Sequence, residues 1–340
     1  MAIVYRGAVD VLSDLLRRAR VRNAIVRKLI QPPPWSYYLA DPEPLTAIAA
    51  VEGSLTIVLR DTSARATVPG APSTHTLGAG DFALIKAGEY TIADSPTTPC
   101  QVVVRNGHKY ATGPGDDSTS ADQMTAPRTY GDHQPGAITM LHGIYELHGS
   151  AGDRFLQLLP AVTIVPAGHR TRPLLELLAA EAARDEPGQD AVLQRILDLI
   201  LVIALRYWGT NAESRPPGWL GAVADAAIGK ALAMLHADPR YRWTTATLAE
   251  KVGMSRASFC ARFASLVGEP PVAYLIGWRM TLAADNLRNT DATIAAVARE
   301  VGYDNAFSFS TAFKRAYGQS PTDWRRGATL VDTRSATDEA

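Results

Sequence analysis

Cysteine is scarce in this chain of 340 residues: only Cys100 and Cys260 are present, far apart. That excludes a disulfide framework and a four-ligand zinc site, and makes a reducing cytoplasm the expected compartment. Net charge is also lacking. Lys+Arg and Asp+Glu number 34 each, so no uniformly basic coat exists, although one domain can still carry a basic face. No apolar run reaches the roughly 20 residues that cross a bilayer; the longest, Ile196 to Trp208, is broken by Asp198 and Arg206. The opening MAIVYRGAVDVLSDLL lacks the charged, apolar and small-residue zones of a secretory leader, so a helix is expected there instead of export. What is present, 46% hydrophobic against 20% charged residues, describes an ordered, water-soluble chain long enough for two domains.

From Pro32 to about Leu159 the chain is rich in Gly, Pro, Thr and Val, and short alternating runs end at turn residues every ten or so positions. This predicts strands at Leu45–Val51, Ser54–Arg60, Asp81–Ala87, Thr91–Asp94, Gln101–Arg105 and Ile138–Leu147, assembled into a sandwich or barrel. The stretch Gly113–Gly136 is polar and without apolar periodicity, which reads as one long loop. At Thr171 the period changes to that of a helix. Leu174, Leu175, Leu177 and Leu178, and then Leu193, Ile196, Leu197, Ile200, Ile203, Ala204 and Tyr207 after Pro187-Gly188, predict a helical hairpin that either covers the sheet or pairs with a second subunit.

Residues 209–218, polar and rich in Pro and Gly, read as a linker. The division is therefore 1–208 for a first domain, 219–327 for a second, and 328–340 for a disordered tail. Charge separates along the same boundaries: 219–327 holds 13 Lys+Arg against 9 Asp+Glu, whereas 1–218 holds 20 against 22. A modest positive balance on one helical domain suits phosphate contact without identifying it.

The second domain contains a repeat. TTATLAEKVGMSRASFCARFASLVG (Thr244 to Gly268) and ATIAAVAREVGYDNAFSFSTAFKRAYG (Ala292 to Gly318) align Leu248-Ala249 with Val297-Ala298, Val252-Gly253 with Val301-Gly302, Phe259 with Phe309 and Phe263 with Phe313. In the first unit Thr244 or Thr245 caps a short helix, Gly253 makes a tight turn, Ser255 caps a second helix, and two Phe four residues apart face inward. Helix, turn and capped helix in that order form a helix-turn-helix, whose second helix enters the DNA major groove.

With the connecting PPVAYLIGWRMTLAADNLR and the end motif VGYDNAFSFSTAFKRAYGQSPTDWRR, residues 219–327 resemble the AraC/XylS family of bacterial transcription regulators. The resemblance implies two recognition helices held by a linker helix over successive major-groove segments of one double-stranded DNA face. It places Ala257, Cys260 and Ala261 toward bases from the first helix, with Arg256 and Ser258 nearer the backbone, and Ala306, Phe307, Ser308 and Thr311 toward bases from the second, with Asn305 at its cap. The small side chains of the first helix predict weak direct readout, since bidentate base contacts need long polar groups. Phe307 either meets a thymine methyl or fills a local pocket. Lys314, Arg315, Arg262 and Arg279 are candidates for phosphate contact or ordinary surface charges.

The first domain resembles the cupin-like effector domain of one branch of that family, carried by AVEGSLTIVL and LGAGDFALIKAGEYTIADSP. The fold class implied is α+β in two domains, a cupin-like β-barrel with a helical hairpin followed by an all-α tandem helix-turn-helix domain. Enzymatic cupins carry metal-binding His and Glu near these turns; Leu45–Val51 has none, and Tyr90-Thr91 stands where the later His belongs, so neither a metal nor another cofactor is expected. His142, Glu146 and His148 share a strand face but span too great a length for one ion. Trp35, Tyr37, Tyr90 and Tyr145 are candidates for lining an effector pocket, or for the core. Some members of the branch respond to oxidants, which makes Cys100 and Cys260 redox candidates. The expected protein is a DNA-binding regulator and no enzyme, with DNA, an unidentified small effector, a second copy of itself and RNA polymerase as partners. A metal-dependent cupin enzyme fused to a helical domain is the alternative.

Overall fold

The computed structural model describes residues 10–19, 22–59, 73–86, 88–112, 124–210 and 219–327. The chain divides into two compact units, one of Val21–Leu147 with Leu159–Trp208, the other of Met1–Arg20, His148–Leu158 and Gly209–Ala340.

The first unit is two β-sheets with their apolar faces together. One sheet runs, in spatial order, β10 (Met124–Ala126), β11 (Thr129–Gly131), β1 (Arg22–Gln31), β12 (Ile138–Glu146), β3 (Leu45–Glu52), β6 (Phe82–Lys86) and β13 (Val162–Val165). The other runs β5 (Ser73–Leu77), β4 (Leu55–Leu59), β7 (Tyr90–Ala93), β2 (Ser36–Leu39), β8 (Val102–Arg105) and β9 (His108–Ala111). Period-two side chains from both sheets meet in one core that includes Ile48, Ala50, Ile85 and Met140 from the first and Leu39, Leu55, Ile57 and Ile92 from the second.

β3 is buried along nearly its whole length because its other face is covered too. α3 (Thr171–Ala182) packs on β1 and β3, and α4 (Gln189–Thr210) on β12. The helix–strand approach is close: a Cβ on Gly143 would lie 2.8 Å from Leu197 Cδ2, so that side chain would have to shift to admit it. The hairpin thus covers the sheet, with Leu193, Leu197, Ile200, Leu201 and Ala204 buried.

Differences from the sequence expectation occur in the expected loop and the expected linker. Residues 124–131 within the expected loop form β10 and β11, because Lys28, Leu29 and Ile30 of β1 offer a parallel partner to Thr129, Tyr130 and Gly131; a pairing between such distant segments leaves no local periodicity to read. The rest of that loop through residue 123, most of the expected linker and the expected tail lie outside the described residues. α4 continues to Thr210, two residues into the expected linker.

The second unit is helical: α1 (Val11–Arg18), α2 (Gly149–Leu158), α5 (Trp219–Val223), α6 (Ala226–Ala237), α7 (Thr245–Lys251), α8 (Arg256–Val267), α9 (Pro271–Asn289), α10 (Ile294–Glu300) and α11 (Ala306–Tyr317). Two of these helices come from the segment that the sequence assigns to the first domain. α2 docks on α9, its first backbone N–H groups donating to Asp285 (Ser150 N to Oδ1, 2.7 Å; Ala151 N to Oδ2, 3.3 Å), so a carboxylate on one helix caps another. α1 is held through Asp14, which contacts His236 Nδ1 at 3.1 Å, while His236 Nε2 meets the Tyr274 hydroxyl at 2.8 Å. Burial lowers the His236 pKa, and the Asp14 carboxylate opposes that shift without cancelling it. No helix among the described residues is long and apolar enough to cross a membrane.

Candidate nucleic-acid interface

The two repeats have the same local construction. In the first, Thr244 and Thr247 form a reciprocal capping pair at the start of α7, Gly253 takes φ +71° in the turn, and Ser255 Oγ accepts from Ser258 N at 3.2 Å to start α8. In the second, Thr293 caps α10, Gly302 takes φ +87°, and Asn305 Oδ1 accepts from Ser308 N at 2.8 Å to start α11. Both second helices end on a left-handed glycine, Gly268 and Gly318. Their inner faces match as well: Phe259–Phe263 and Phe309–Phe313 each have ring centroids 5.7 Å apart, and all four rings are buried. α9 follows the first unit and leads into the second, with Trp278 and Leu287 buried in the helical core.

These caps are interactions of a few residues, so their contributions can be tested singly. Ser255→Ala should lower the unfolding free energy of the helical unit by about 1 kcal/mol, measured by urea denaturation. No loss would mean that the Ser255 hydroxyl does not hold the first turn of α8.

The outer faces are left to solvent. Arg256, Ala257, Ser258, Ala261 and Arg262 are exposed on α8, and Cys260 is half-buried beside them. On α11, Phe307, Ser308, Thr311, Lys314 and Arg315 are exposed, Asn305 is exposed at the cap, and Ala306 is half-buried. Phe307 is 83% exposed, so no local pocket holds its ring. A phenyl group in water at the first turn of a helix is an unsatisfied apolar surface.

The cations divide into two groups. Among the described residues Arg256, Lys314 and Arg315 make no ion pair and remain available to phosphate. Arg262 instead lies on Asp225, its Nε 3.0 Å from Oδ2. Burial alone would raise the Asp225 pKa, but hydrogen bonds from Ile228, Ala227 and Arg262 outweigh it and hold the carboxyl below its usual value. Arg279 is turned inward: its Nε donates to the Pro239 carbonyl (2.6 Å) and Nη2 to the Tyr241 carbonyl (2.9 Å), bracing the segment before α7. Its Nε and Nη2 are therefore engaged with backbone carbonyls.

In the β unit the four aromatic candidates do not converge. Tyr37 lines a cavity of about 300 Å³ between the sheets. Trp35 and Tyr90 are in the inter-sheet core, Tyr90 hydrogen-bonded to Thr46 at 3.2 Å, and burial pushes its phenol well above the usual range. Tyr145 is on the opposite face of β12 and donates to the Leu197 carbonyl at 2.9 Å, so it anchors α4 instead of facing a cavity. Two residues that the aromatic pattern did not point to, Arg27 and His142, line the same cavity as Tyr37. For His142 a legible signal existed: an imidazole inside the largely apolar strand β12.

Cys100 is exposed, its thiol donating to the Val102 carbonyl at 3.4 Å, and both cysteines are free. Among the described residues no group of three His, Cys, Asp or Glu is placed to hold a metal ion.

A family profile described as Cupin matches residues 10–210, and one described as Helix-turn-helix domain matches 248–327. The chain is 28% identical to an AraC-like transcription regulator of Streptomyces lividans, over 95% of this chain and 100% of the relative. It is also 28% identical to the HTH-type transcriptional regulator AlkR of Acinetobacter baylyi, over 86% and 91% respectively. Among solved structures, the DNA-binding domain of AdpA in complex with a target DNA is 29% identical, covers 31% of this chain and 93% of that chain, and has a TM-score of 0.29.

Proposed function

The chain belongs to the AraC-family helix-turn-helix transcription regulators with an N-terminal cupin domain, and from that premise we infer that α8 and α11 read two successive major-groove segments of one operator while the β unit receives a small-molecule signal. It is a DNA-binding regulator and no enzyme; the metal-dependent enzyme alternative is set aside because the relatives matched along nearly the whole chain regulate transcription.

The observation that carries the two-segment reading is the repeated unit in which both second helices present an exposed outer face and are capped at the equivalent position, by Ser255 and Asn305. On B-DNA the two centres of contact are expected about 34 Å apart, one helical turn. Arg256, Lys314 and Arg315 supply phosphate contacts, and Phe307 supplies an apolar contact to a thymine methyl or base edge. The test is a gel shift on the DNA upstream of the protein's own gene and its neighbours, at two salt concentrations. Saturable, salt-weakened, competitor-resistant binding is expected; binding equally tight to unrelated DNA would sink the sequence-specific reading.

Phe307→Ala should weaken operator binding about tenfold, within the roughly 1–3 kcal/mol of one base contact. It should leave stability within about 0.5 kcal/mol, because nothing packs on the ring. Unchanged affinity would return Phe307 to the class of idle surface residues.

A second copy of the chain is part of the same proposal. Leu177 on α3 and Val192 and Leu199 on α4 are large, apolar and exposed, which favours pairing through the hairpin. Molar mass by light scattering across a dilution series tests it, and a monomer at all concentrations ends that reading. For redox input, loss of operator binding after oxidant treatment, with the modification located by mass at Cys100 or Cys260, is the supporting outcome. Retained binding with both thiols oxidised would remove it.

A further inference from the structure

α2 comes from the segment between β12 and β13, yet it packs in the helical unit and touches parts of both repeats. Its contacts line up along α9. Tyr274, Gly277, Thr281 and Asp285 recur three or four residues apart and therefore share one face of that helix. Asp285 accepts from the first backbone N–H groups of α2, and a Cβ on Gly149 would lie 2.7 Å from its Oδ1, so the start of α2 sits directly on this carboxylate. One turn further on, Arg154 lies along the same face. Its guanidinium stands 5.1 Å from the Tyr274 ring centroid, and Nη2 donates to Glu269 Oε1 at 3.4 Å.

The two groups of contacts reach different repeats. Glu269 directly follows Gly268, the residue that closes α8, and the Tyr274 ring meets Phe263 of α8 edge-on with centroids 6.0 Å apart. Ser150, at the other end of the contact, lies beside the hydroxyl of Tyr317, the last residue of α11. Burial raises the Tyr317 phenol pKa, and the Ser150 and Thr281 hydroxyls oppose that rise. One short helix is thus tied to the exits of both second helices and to the helix that joins them.

A glycine inside α9 belongs to the same arrangement. In a helix interior glycine is about 1 kcal/mol less favourable than alanine. Here a Cβ on Gly277 would lie 2.8 Å from Arg154 Nη1, so the position gives up helix propensity and admits the guanidinium.

We propose that α2 is a brace that sets the placement of α8 relative to α11, with Arg154 and Asp285 as its positioning residues, and that it thereby fixes the separation of the two DNA segments the protein accepts. The inference rests on the two-segment reading of α8 and α11 and adds what determines their spacing. On B-DNA one inserted base pair turns the second segment by about 35° and moves it by about 3.4 Å. A pair of helices fastened through α2 cannot follow that change, whereas a pair joined by α9 alone can swing with it.

The test uses the full chain and selection of bound duplexes from a randomised DNA pool, followed by affinity measurements on the best operator and on the same operator with one base pair inserted between its two blocks. The native chain should select two blocks at a single separation and bind the lengthened operator about tenfold more weakly, the size of one lost base contact. Arg154→Gln, Asp285→Asn and Gly277→Ala should select the same two blocks at more than one separation, with the insertion penalty reduced to about threefold or less. Gly277→Ala displaces the guanidinium while raising helix propensity, so it keeps the test open if Asp285→Asn unfolds the unit. A merely structural role would lower the melting temperature and leave the spacing preference as it is.

A single separation and an undiminished insertion penalty in the folded variants would overturn the proposal. So would a change in the selected block sequences, which would place the effect on the base contacts themselves. Loss of cooperative melting in all three variants would assign the contacts to stability alone and overturn it as well. Selection of only one block by the native chain would remove the two-segment reading and this inference with it, whereas two blocks with unchanged spacing in the variants removes only the brace.

Discussion

Phe313→Ala should lower the unfolding free energy of the helical unit by about 3–5 kcal/mol, the usual cost of removing a fully buried phenyl ring. The ring is 0% exposed, and it joins three other aromatics: Phe309 at 5.7 Å, Tyr317 at 4.8 Å and Trp324 edge-on at 5.8 Å between centroids. None of these neighbours can collapse far into the vacated space. Trp324 is held by a hydrogen bond from its indole to the Ala284 carbonyl, and Phe309 belongs to the same helix. The loss therefore includes both the transfer of the ring and the cavity it leaves. Because Phe313 holds α11 against its own unit, the variant should also lose operator binding at temperatures where the native chain still binds. Urea denaturation followed by tryptophan fluorescence measures the first effect, and a gel shift the second. A loss below about 1 kcal/mol would contradict the packing described. The contrast with Phe307, six residues earlier on the same helix, makes the experiment informative: one phenylalanine should affect stability and the other only DNA.

Acid should destabilise the β unit through His142. Burial, and next the charge of Arg27, push its imidazole down to about 4, whereas in the unfolded chain it titrates near 6.5. Between those two values the unfolded state binds a proton that the folded state refuses, so stability falls as pH drops through the window and is fully retained above it. At pH 4.5 the accumulated loss is about 2–3 kcal/mol relative to pH 7. Carboxylates elsewhere also contribute acid sensitivity, and the comparison that isolates this residue is between the native chain and His142→Gln. The variant should lose about 2–3 kcal/mol less on going from pH 7 to pH 4.5, read from urea midpoints at each pH. Parallel pH profiles would show that His142 is not held neutral in the folded state. His236 shifts in the same direction, but it belongs to the helical unit and is common to both proteins in the comparison.

Much of the helical unit was legible because its determinants are local. Ser255 and Ser258, Asn305 and Ser308, and the two phenylalanine pairs each lie within four residues of one another, and the motif occurs twice. The β unit was legible only in part. β1, with the sequence RNAIVRKLIQ, places Arg27 in the middle of a strand, so the alternation that marks half-buried strands is interrupted. β13 and β11 are too short to show a period, and each exists because a distant strand offers its edge. The same reason separates the candidate sites. Exposure of Arg256, Lys314 and Arg315 follows from helical spacing, whereas the engagement of Arg279 with the Pro239 and Tyr241 carbonyls, and of Arg262 with Asp225, depends on where another segment ends.

By itself the sequence determined the duplicated helix-turn-helix, its capping residues, its turn glycines and its family, because these rest on contacts between near neighbours along the chain. Only the tertiary structure decided that α1 and α2 pack with the helical unit, that Tyr145 anchors a helix, and that Arg27, Lys109 and His142 share one cavity. Those outcomes depend on strand register and on long-range packing, where a shift of one residue turns a side chain from one face of a sheet to the other.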